Sequence, residues 1–206
     1  MALAFQNWPV TLTSGGVTLR PLRYRDKWEW DDVRVRNHDW TGPWDATQPR
    51  VGSGHPFTFN EMVRSHNKAA RDGRSLPWVI TYDPTGREAG PIVGQLTVSG
   101  ITRGAAQWGQ AGYWVDHTFA GRGIVPVSLA MAADHCFDVL HLHRFEVAIR
   151  PENTNSLRVV EKLGFRYEGR RPRYLHVAGD WRDHDMFVLH SDEVEGSLVD
   201  RLHQHP

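Results

Sequence analysis

Hydrophobic residues alternate with polar ones, or form short apolar runs, in about seven segments of the chain, and they recur at helical spacing in about four longer ones. The strand-like segments are residues 17–20, 78–82, 92–98, 111–116, 143–149, 166–174 and 183–190. The helix-like segments are residues 26–37, 60–72, 121–140 and 153–164. Three short strands in succession predict an antiparallel meander, and helices separate the later strands. We therefore predict an α+β fold with a mixed, mostly antiparallel central sheet of about seven strands flanked by about four helices.

Two of the helix-like segments carry specific signals. Leu129, Ala133, Cys136 and Leu140 recur every three or four residues, so the helix over 121–140 is expected to bury one face. Cys136 lies on that apolar stripe, which favours a core position over a role as a nucleophile. Asp26 opens the first helix-like segment and is expected to cap its first turn.

Residues 41–56 are rich in glycine and proline, so we predict a long loop there. A loop of this length without regular structure is uncommon unless it serves a function. Trp40 and Trp44, two of nine tryptophans, stand at its start. Two interpretations stay open for them: ordinary core or interface aromatics, or the wall of a substrate cleft.

Length and charge exclude several functions. The 206 residues fit one domain spanning 1–206, with a core over about 17–190 and short terminal extensions. The 24 Lys and Arg balance 24 Asp and Glu, so direct nucleic-acid binding is not expected. The longest nearly apolar run, residues 124–133, is too short to cross a membrane and contains a proline. Because residues 1–8 lack a secretory pattern, we expect a cytoplasmic protein.

Cysteine and histidine usage gives no support to a metal site. Cys136 is the only cysteine, which excludes an internal disulfide and a cysteine-rich metal cluster. The pairs His141/His143 and His203/His205 are each spaced by two residues, so the rings do not share one helical face. We expect no bound metal.

A glycine-containing turn lies between the strand over 111–116 and the long helix. Gly121 and Gly123 leave room for an anion to approach the backbone. The helix that follows offers unpaired N–H groups and the positive end of its dipole, and Pro126 removes a donor the first turn does not need. This arrangement suits phosphate, although glycine in such a turn also has a purely steric explanation.

A second segment, residues 150–165, reads RPENTNSLRVVEKLGF. Together with the turn, it resembles the GNAT acetyltransferase superfamily, whose R/Q-x-x-G-x-G/A turn precedes a P-x-N-x-x-S stretch ending in L-G-F. The resemblance covers about residues 17–190. Residues 174–175 and 179–184 resemble the Y-L and G-x-W-R-D-H elements of the ribosomal-protein-alanine N-acetyltransferases of the RimJ type. Ala120 and Val125 depart from the R/Q and final G/A of the turn motif.

The resemblance implies an acetyl-CoA-dependent N-acetyltransferase in which an amine attacks the thioester directly. The implied cofactor-binding residues are Tyr113, Trp114, Val115, Gly121, Arg122, Gly123, Ile124, Val125 and Asn155. The backbone N–H of Val115 would polarise the thioester carbonyl, and Ser156 would protonate the CoA thiolate. Arg122 would supply positive charge to the diphosphate. Asn155 would bind the pantetheine, unless Asn153 and Asn155 serve only as helix caps.

The acceptor amine and the general base stay open. A peptide α-amine, with a pKa of about 7.7 to 8.0, is already partly neutral near pH 7.5 and needs only a weak base. Asp116, His117, Glu168 and Asp183 are candidates that no spacing separates. A protein N-terminal α-amine is the leading acceptor; a small-molecule amine or a non-catalytic CoA-sensing domain are the alternatives. The oligomeric state is open, with a homodimer as one option.

Overall fold

The computed structural model describes residues 8–49, 57–86 and 90–204. Its strands are β1 (Leu12–Ser14), β2 (Val17–Pro21), β3 (Leu76–Tyr82), β4 (Ile92–Thr102), β5 (Trp108–Val115), β6 (Arg144–Ile149), β7 (Arg166–Val177) and β8 (Asp180–His190). Its α-helices are α1 (Lys27–Arg36), α2 (His38–Thr41), α3 (Phe59–Arg71), α4 (Ile124–Asp134), α5 (Thr154–Lys162) and α6 (Leu198–Gln204). The strands form one sheet in the order β1-β2-β3-β4-β5-β6-β8-β7. This confirms the predicted α+β class and the mostly antiparallel sheet.

The one parallel pair among the described strands, β5 and β6, opens a gap in the sheet. These strands run parallel because α4 carries the chain from the end of β5 back to the start of β6. Their pairing runs from Trp108 opposite Arg144 to Ala111 opposite Val147. β5 then continues to Val115, and no described residue of β6 pairs with that last stretch. A wedge-shaped gap therefore splits the middle of the sheet.

Helices cover both faces of the sheet. A smaller apolar cluster joins α1 and α3 to one face and includes Trp30, Val33 and Val63. A larger one places α4, α5 and α6 on the other face. The expectation that α4 buries a single face was wrong: every residue from 128 to 133 is buried, because α4 packs against α5 and α6 as well as the sheet. Cys136 is fully buried in a π-helical turn that follows α4.

The starts of α3 and α1 differ in whether a side chain caps the helix. Thr58 and Glu61 form a reciprocal capping box at the start of α3, with Thr58 N–H donating to Glu61 at 2.8 Å. Asp26, expected to cap α1, makes no such cap. Its carboxylate instead accepts from the Arg20 guanidinium and the Arg23 N–H, both at 2.7 Å. A buried ion pair satisfies this carboxylate more strongly than a helix N-terminus would.

The structure adds three short elements that the pattern did not predict: β1, α2 and α6. None is long enough to show a clear period. The start of α6 is held by a tertiary contact, since the Asp134 carboxylate at the end of α4 accepts from the Ser197 hydroxyl and the Leu198 and Val199 N–H groups at 2.7–3.2 Å.

The predicted loop over 41–56 is described only to residue 49, and residues 50–56 lie outside the described part. The described part turns away from α2 and forms an isolated bridge between Ala46 and Val177 of β7. No helix in the described part of the chain is long and apolar enough to cross a bilayer.

Candidate active site

Two adjoining cavities meet at the gap between β5 and β6. The first, of about 410 Å³, reaches the N-terminus of α4; the second, of about 430 Å³, extends along polar side chains of β4 and β5. Both are lined by Trp44, Asp45, Tyr113, Trp114, Asn153 and Ser156. A group held in the first cavity can therefore reach a group held in the second.

The free edge of β5 supplies backbone donors at this junction. The N–H of Asp116 donates to Val93 on β4 at 2.7 Å. Because successive residues of a strand direct their N–H groups to opposite edges, those of Val115 and Tyr113 point toward the gap. On that same edge, the Val115 carbonyl accepts from the Trp40 indole at 3.0 Å. Tyr113, Trp114 and Val115 all line the first cavity.

The turn before α4 presents backbone N–H groups without intrahelical partners to the first cavity. Gly121 and Gly123 adopt left-handed conformations, with φ of 78° and 75°. A Cβ atom on either would meet no atom within 4 Å, so the space above the turn is open. The N–H groups of Ile124 and Val125 have no intrahelical acceptor, and Pro126 has no N–H to leave unpaired. These donors and the helix dipole together favour a phosphate group.

The cations that face the first cavity come from α5. Arg158 and Lys162 both line it. The sequence analysis predicts neither of them as a site residue. Their spacing of four residues does indicate that both side chains lie on the same face of α5. Arg122 is not among the lining residues. Its guanidinium donates to the Thr118 carbonyl at 3.1 Å and lies 5.0 Å from the Phe119 ring centre, at the rim.

Asn153 and Asn155 have different positions at the start of α5. The Asn153 side chain accepts from the Ser156 N–H at 3.1 Å and is the N-cap. Asn155 lies in the first turn, is exposed, and lines the first cavity. Ser156 lines both cavities, so its hydroxyl sits at the junction.

The Tyr113 hydroxyl is a buried polar group at the same junction. No described residue meets hydrogen-bond geometry with it, although the Ser156 hydroxyl is close enough to affect its pKa. Burial raises the pKa of Tyr113 well above its usual value, and the neighbouring Ser156 hydroxyl offsets that rise in part. Tyr113 therefore stays protonated at neutral pH, with a donor available beside Ser156.

The second cavity is closed by the chain that follows α2. Arg150 donates to the Pro43 carbonyl at 2.8 Å, and its guanidinium lies 5.3 Å from the Trp44 ring centre. Trp44 thus lines both cavities and Trp40 lines the first, which agrees with the interpretation that they wall a cleft. Asp45 is the one carboxylate in the described lining of either cavity, and Arg34 pairs with it at 2.5 Å.

Two of the four candidate bases are engaged near the end of β5, outside both cavity linings. Asp116 is fully buried and accepts from Arg36 at 2.6 Å and from the Thr118 N–H at 2.9 Å. Burial would raise the pKa of Asp116, but these hydrogen bonds hold it below its usual value. The His117 ring and backbone N–H both contact the Asn37 side-chain oxygen at 2.9 Å.

The other two candidates lie on the β7–β8 hairpin, and neither lines a cavity. Glu168 pairs with Arg144, a contact that lowers the pKa of Glu168. Asp183 accepts from the Arg173 N–H at 2.8 Å. The next residue, His184, is the one that lines the second cavity. Neighbouring residues of a strand face opposite sides of the sheet, so only one of Asp183 and His184 can face the cavity.

Covalent and metal chemistry find no support near the cavities. Burial raises the pKa of the Cys136 thiol far above its usual value, so the thiolate does not form at neutral pH. Among the described residues, no group of three or more His, Cys, Asp and Glu side chains could hold a metal ion.

Comparisons with known proteins agree with this geometry. The family model described as "Acetyltransferase (GNAT) domain" matches residues 17–166. The structure of Mycobacterium smegmatis RimJ in complex with CoA-disulfide is 37% identical, with a TM-score of 0.85 over 96% of this chain and 95% of that one. The [ribosomal protein uS5]-alanine N-acetyltransferase of Escherichia coli (strain K12) is 26% identical over 180 residues, covering 87% of this chain and 90% of that protein.

A third relative matches over a shorter stretch. The probable N-acetyltransferase YjcK of Bacillus subtilis (strain 168) is 35% identical over 104 residues. That alignment covers 50% of this chain, and the chain spans 58% of the length of YjcK.

Proposed function

The chain belongs to the GNAT acetyltransferase family, and from this premise we propose that it transfers the acetyl group of acetyl-CoA to the N-terminal α-amine of a protein. We propose further that it acts as one acetyltransferase domain with its core over about residues 17–190. One observation carries the proposal: a cavity that reaches the N-terminus of α4 and a polar cavity meet at Tyr113 and Ser156. A two-substrate transfer needs such a junction.

The first cavity fits acetyl-CoA. The turn leaves open space above Gly121 and Gly123 for a diphosphate, and Arg158 and Lys162 add positive charge. The phosphate-binding donors are the backbone N–H groups of Gly121, Arg122, Gly123, Ile124 and Val125, with the Arg122 side chain at the rim. Asn155 and the free edge of β5 at Tyr113, Trp114 and Val115 would bind the pantetheine.

The departures from the family's turn motif fit this assignment. Backbone donors do not depend on side-chain identity, so Val125 in place of glycine or alanine keeps its N–H. Ala120 replaces an arginine or glutamine, and Arg158 and Lys162 offer the charge from α5 instead. The positive charge at this site is therefore local, in keeping with the net charge of zero.

The junction supplies the groups that acetyl transfer requires. The Val115 N–H points into the gap, where it would stabilise the negative charge that develops on the thioester oxygen. Ser156 would donate its proton to the departing CoA thiolate. The Tyr113 hydroxyl, buried beside Ser156 without another partner, would supply a hydrogen bond to Ser156 as that proton leaves.

The second cavity favours a peptide over a polycationic amine. Its β4 and β5 side chains are uncharged: Gln95, Thr97, Ser99 and Gln110. The Asp45 carboxylate is already paired with Arg34. A polyamine would bring several positive charges to a wall with no free carboxylate among its described residues, at a high desolvation cost. A peptide backbone with one α-amine would instead hydrogen-bond to these side chains.

The names of the relatives support the same acceptor. RimJ and the uS5-alanine acetyltransferase match nearly the whole chain. A spermidine N(1)-acetyltransferase of Escherichia coli (strain K12) matches 61% of it at 24% identity, which keeps a small amine as the alternative.

Acceptor competition tests the proposal. The purified chain is given acetyl-CoA with a peptide that begins with alanine, the same peptide N-formylated but with an internal lysine, or spermidine. Free thiol release gives the rate, and mass spectrometry locates the acetyl group. We expect acetylation of the free α-amine alone. Turnover only with spermidine would overturn the peptide proposal, and tight CoA binding with no turnover would support a CoA sensor instead.

A second experiment tests direct attack by the amine. Because Cys136 is buried and its thiol stays protonated, Cys136→Ala is expected to keep acetyl transfer. Loss of transfer with CoA binding intact would indicate an acyl-enzyme and contradict the direct mechanism.

A further inference from the structure

We propose that His184 accepts the proton that the acceptor ammonium loses before its lone pair attacks the thioester. This inference rests on the proposed function and assigns the base that the sequence left open. Three observations support it: His184 lines the second cavity, contacts with its neighbours fix the orientation of its ring, and the other candidate bases are held in ion pairs or hydrogen bonds outside the cavities.

The proton balance of the reaction requires such a group. The amine enters as an ammonium with three protons and must lose one before its lone pair can attack the thioester carbon. As the C–N bond forms and the C–S bond breaks, Ser156 gives its proton to the CoA thiolate, and the second proton lost by the nitrogen restores the Ser156 hydroxyl. One proton stays on the amide, one ends on the thiol, and one leaves for solvent. His184 Nε2 would carry this last proton, directly or across one water.

His184 lies where the second cavity reaches β8. It is the first residue beyond the last β6–β8 pair, Ile149 opposite Asp185. Its side chain is 4% exposed and lines the second cavity together with Ser156 and Tyr113. An amine held in that cavity is thus enclosed between the thioester junction and this ring.

Two contacts fix which ring nitrogen is available. The Nδ1 atom of His184 lies 3.0 Å from the Arg182 carbonyl, which can only accept, so Nδ1 carries the hydrogen and Nε2 the lone pair. The ring packs edge-on against Tyr174 at 6.0 Å, and the Tyr174 hydroxyl donates to Gln110 at 3.0 Å. Arg171 is opposite His184 in the β7–β8 pairing, and its guanidinium lies 4.9 Å from the centre of the Tyr174 ring. No described residue bonds Nε2, which leaves it available to a ligand in the cavity.

The surroundings keep the ring neutral. Burial lowers the pKa of His184; the Arg182 carbonyl opposes this, and Arg150 lowers the pKa further. The carboxylates of Asp183 and Glu152 act in the raising direction but leave the net shift downward. At neutral pH the imidazole is therefore uncharged, and after accepting a proton it releases it readily to solvent.

The other titratable side chains in the described cavity linings do not meet these conditions. Asp45 is paired with Arg34 and also accepts from Thr41. Tyr113 is protonated, and the guanidinium and ammonium groups of Arg150, Arg158 and Lys162 are hydrogen-bond donors without an acceptor atom. His184 is left as the neutral acceptor.

The decisive variant is His184→Asn. The asparagine amide can donate to the Arg182 carbonyl as Nδ1 does, while the acceptor at Nε2 is lost. The matched control is His190→Gln, which removes a hydrogen-bonded histidine from the same strand outside both cavity linings. Each protein is assayed with acetyl-CoA and an alanine-starting peptide for kcat/KM against pH, and for CoA affinity by calorimetry.

We expect kcat/KM of His184→Asn to fall about 100-fold, with CoA affinity unchanged. For the wild type, kcat/KM should show a decrease at acidic pH, below the pH range in which the peptide amine titrates. The variant should lack this decrease. His184→Ala should regain part of its rate with added imidazole. An unchanged pH profile in His184→Asn, or a lost rate that imidazole does not restore in a folded His184→Ala, would overturn the assignment. Absence of turnover by the wild-type chain would instead contradict the proposed function.

Discussion

Substitution of Gly123 by alanine separates backbone strain from cofactor binding. Gly123 has φ of 75°, and a Cβ there meets no atom within 4 Å. The added methyl therefore costs only the left-handed conformation, about 1–2 kcal/mol. For a chain of this size that is a fall in Tm of about 2–8 °C. Gly104 is a matched control, since its φ is 72°, its surroundings are equally open, and it lies outside the linings of both cavities.

Only Gly123→Ala should weaken CoA binding. The methyl would occupy the open space through which a phosphate approaches the N–H groups of the turn. Loss of one hydrogen bond to a charged phosphate is worth about 1.5–3 kcal/mol, which corresponds to a CoA affinity about 10- to 100-fold lower. Acetyl-pantetheine lacks the diphosphate and adenosine, so its kcat/KM should be the same for Gly123→Ala and Gly104→Ala.

Calorimetry with CoA, thermal unfolding, and kcat/KM for both acetyl donors test these expectations. Wild-type CoA affinity in Gly123→Ala, with the same loss of Tm as Gly104→Ala, would refute the placement of the phosphates at this turn. An equal loss of kcat/KM with acetyl-pantetheine would locate the defect at the thioester instead.

Three further predictions concern side chains of the first cavity, of the junction and of the end of β5. Arg158→Gln and Lys162→Gln should each weaken CoA binding about two- to fivefold at low salt and less at high salt, as calorimetry would show, because exposed charges are screened. Tyr113→Phe should lower kcat, while urea unfolding shows equal or higher stability because an unpaired buried hydroxyl is removed. Asp116→Asn should cost about 1.5–3 kcal/mol at pH 7 by loss of the ionic bond to Arg36. The pKa of Asp116 is lowered by folding, so its stabilisation is present above the unfolded pKa of about 3.9 and disappears as pH falls through the folded value.

Each of these predictions has a contrary result. CoA affinities of the α5 variants that do not change with salt would argue against contact with the phosphates. A clear loss of stability in Tyr113→Phe would show that the hydroxyl has a partner in the folded chain. A difference between wild type and Asp116→Asn that persists unchanged into acid would show that the charge of Asp116 is not the source of its stabilisation.

Local sequence signals located most of the elements that build the site. The alternation at 111–116 and the cap at Asn153 predicted β5 and α5 close to their observed bounds, and the helix predicted over 121–140 corresponds to α4 together with the π-helical turn that follows it. Such signals are reliable because they depend on contacts within one turn or one strand. Local signals could not show which side chain of β8 lines the cavity. Asp183 and His184 are neighbours that face opposite sides of the sheet, and the sequence does not tell which side the cavity is on.

The sequence by itself determined the fold class, the glycine-containing turn before α4 and the family resemblance, because each depends on residues that are neighbours in the chain. The tertiary structure alone decided where β5 and β6 separate, that Arg158 and Lys162 rather than Arg122 face the first cavity, and that His184 lines the second. These facts depend on strand register and on the packing of segments far apart in sequence. A shift of one residue in register turns a side chain from cavity to solvent without changing any local pattern.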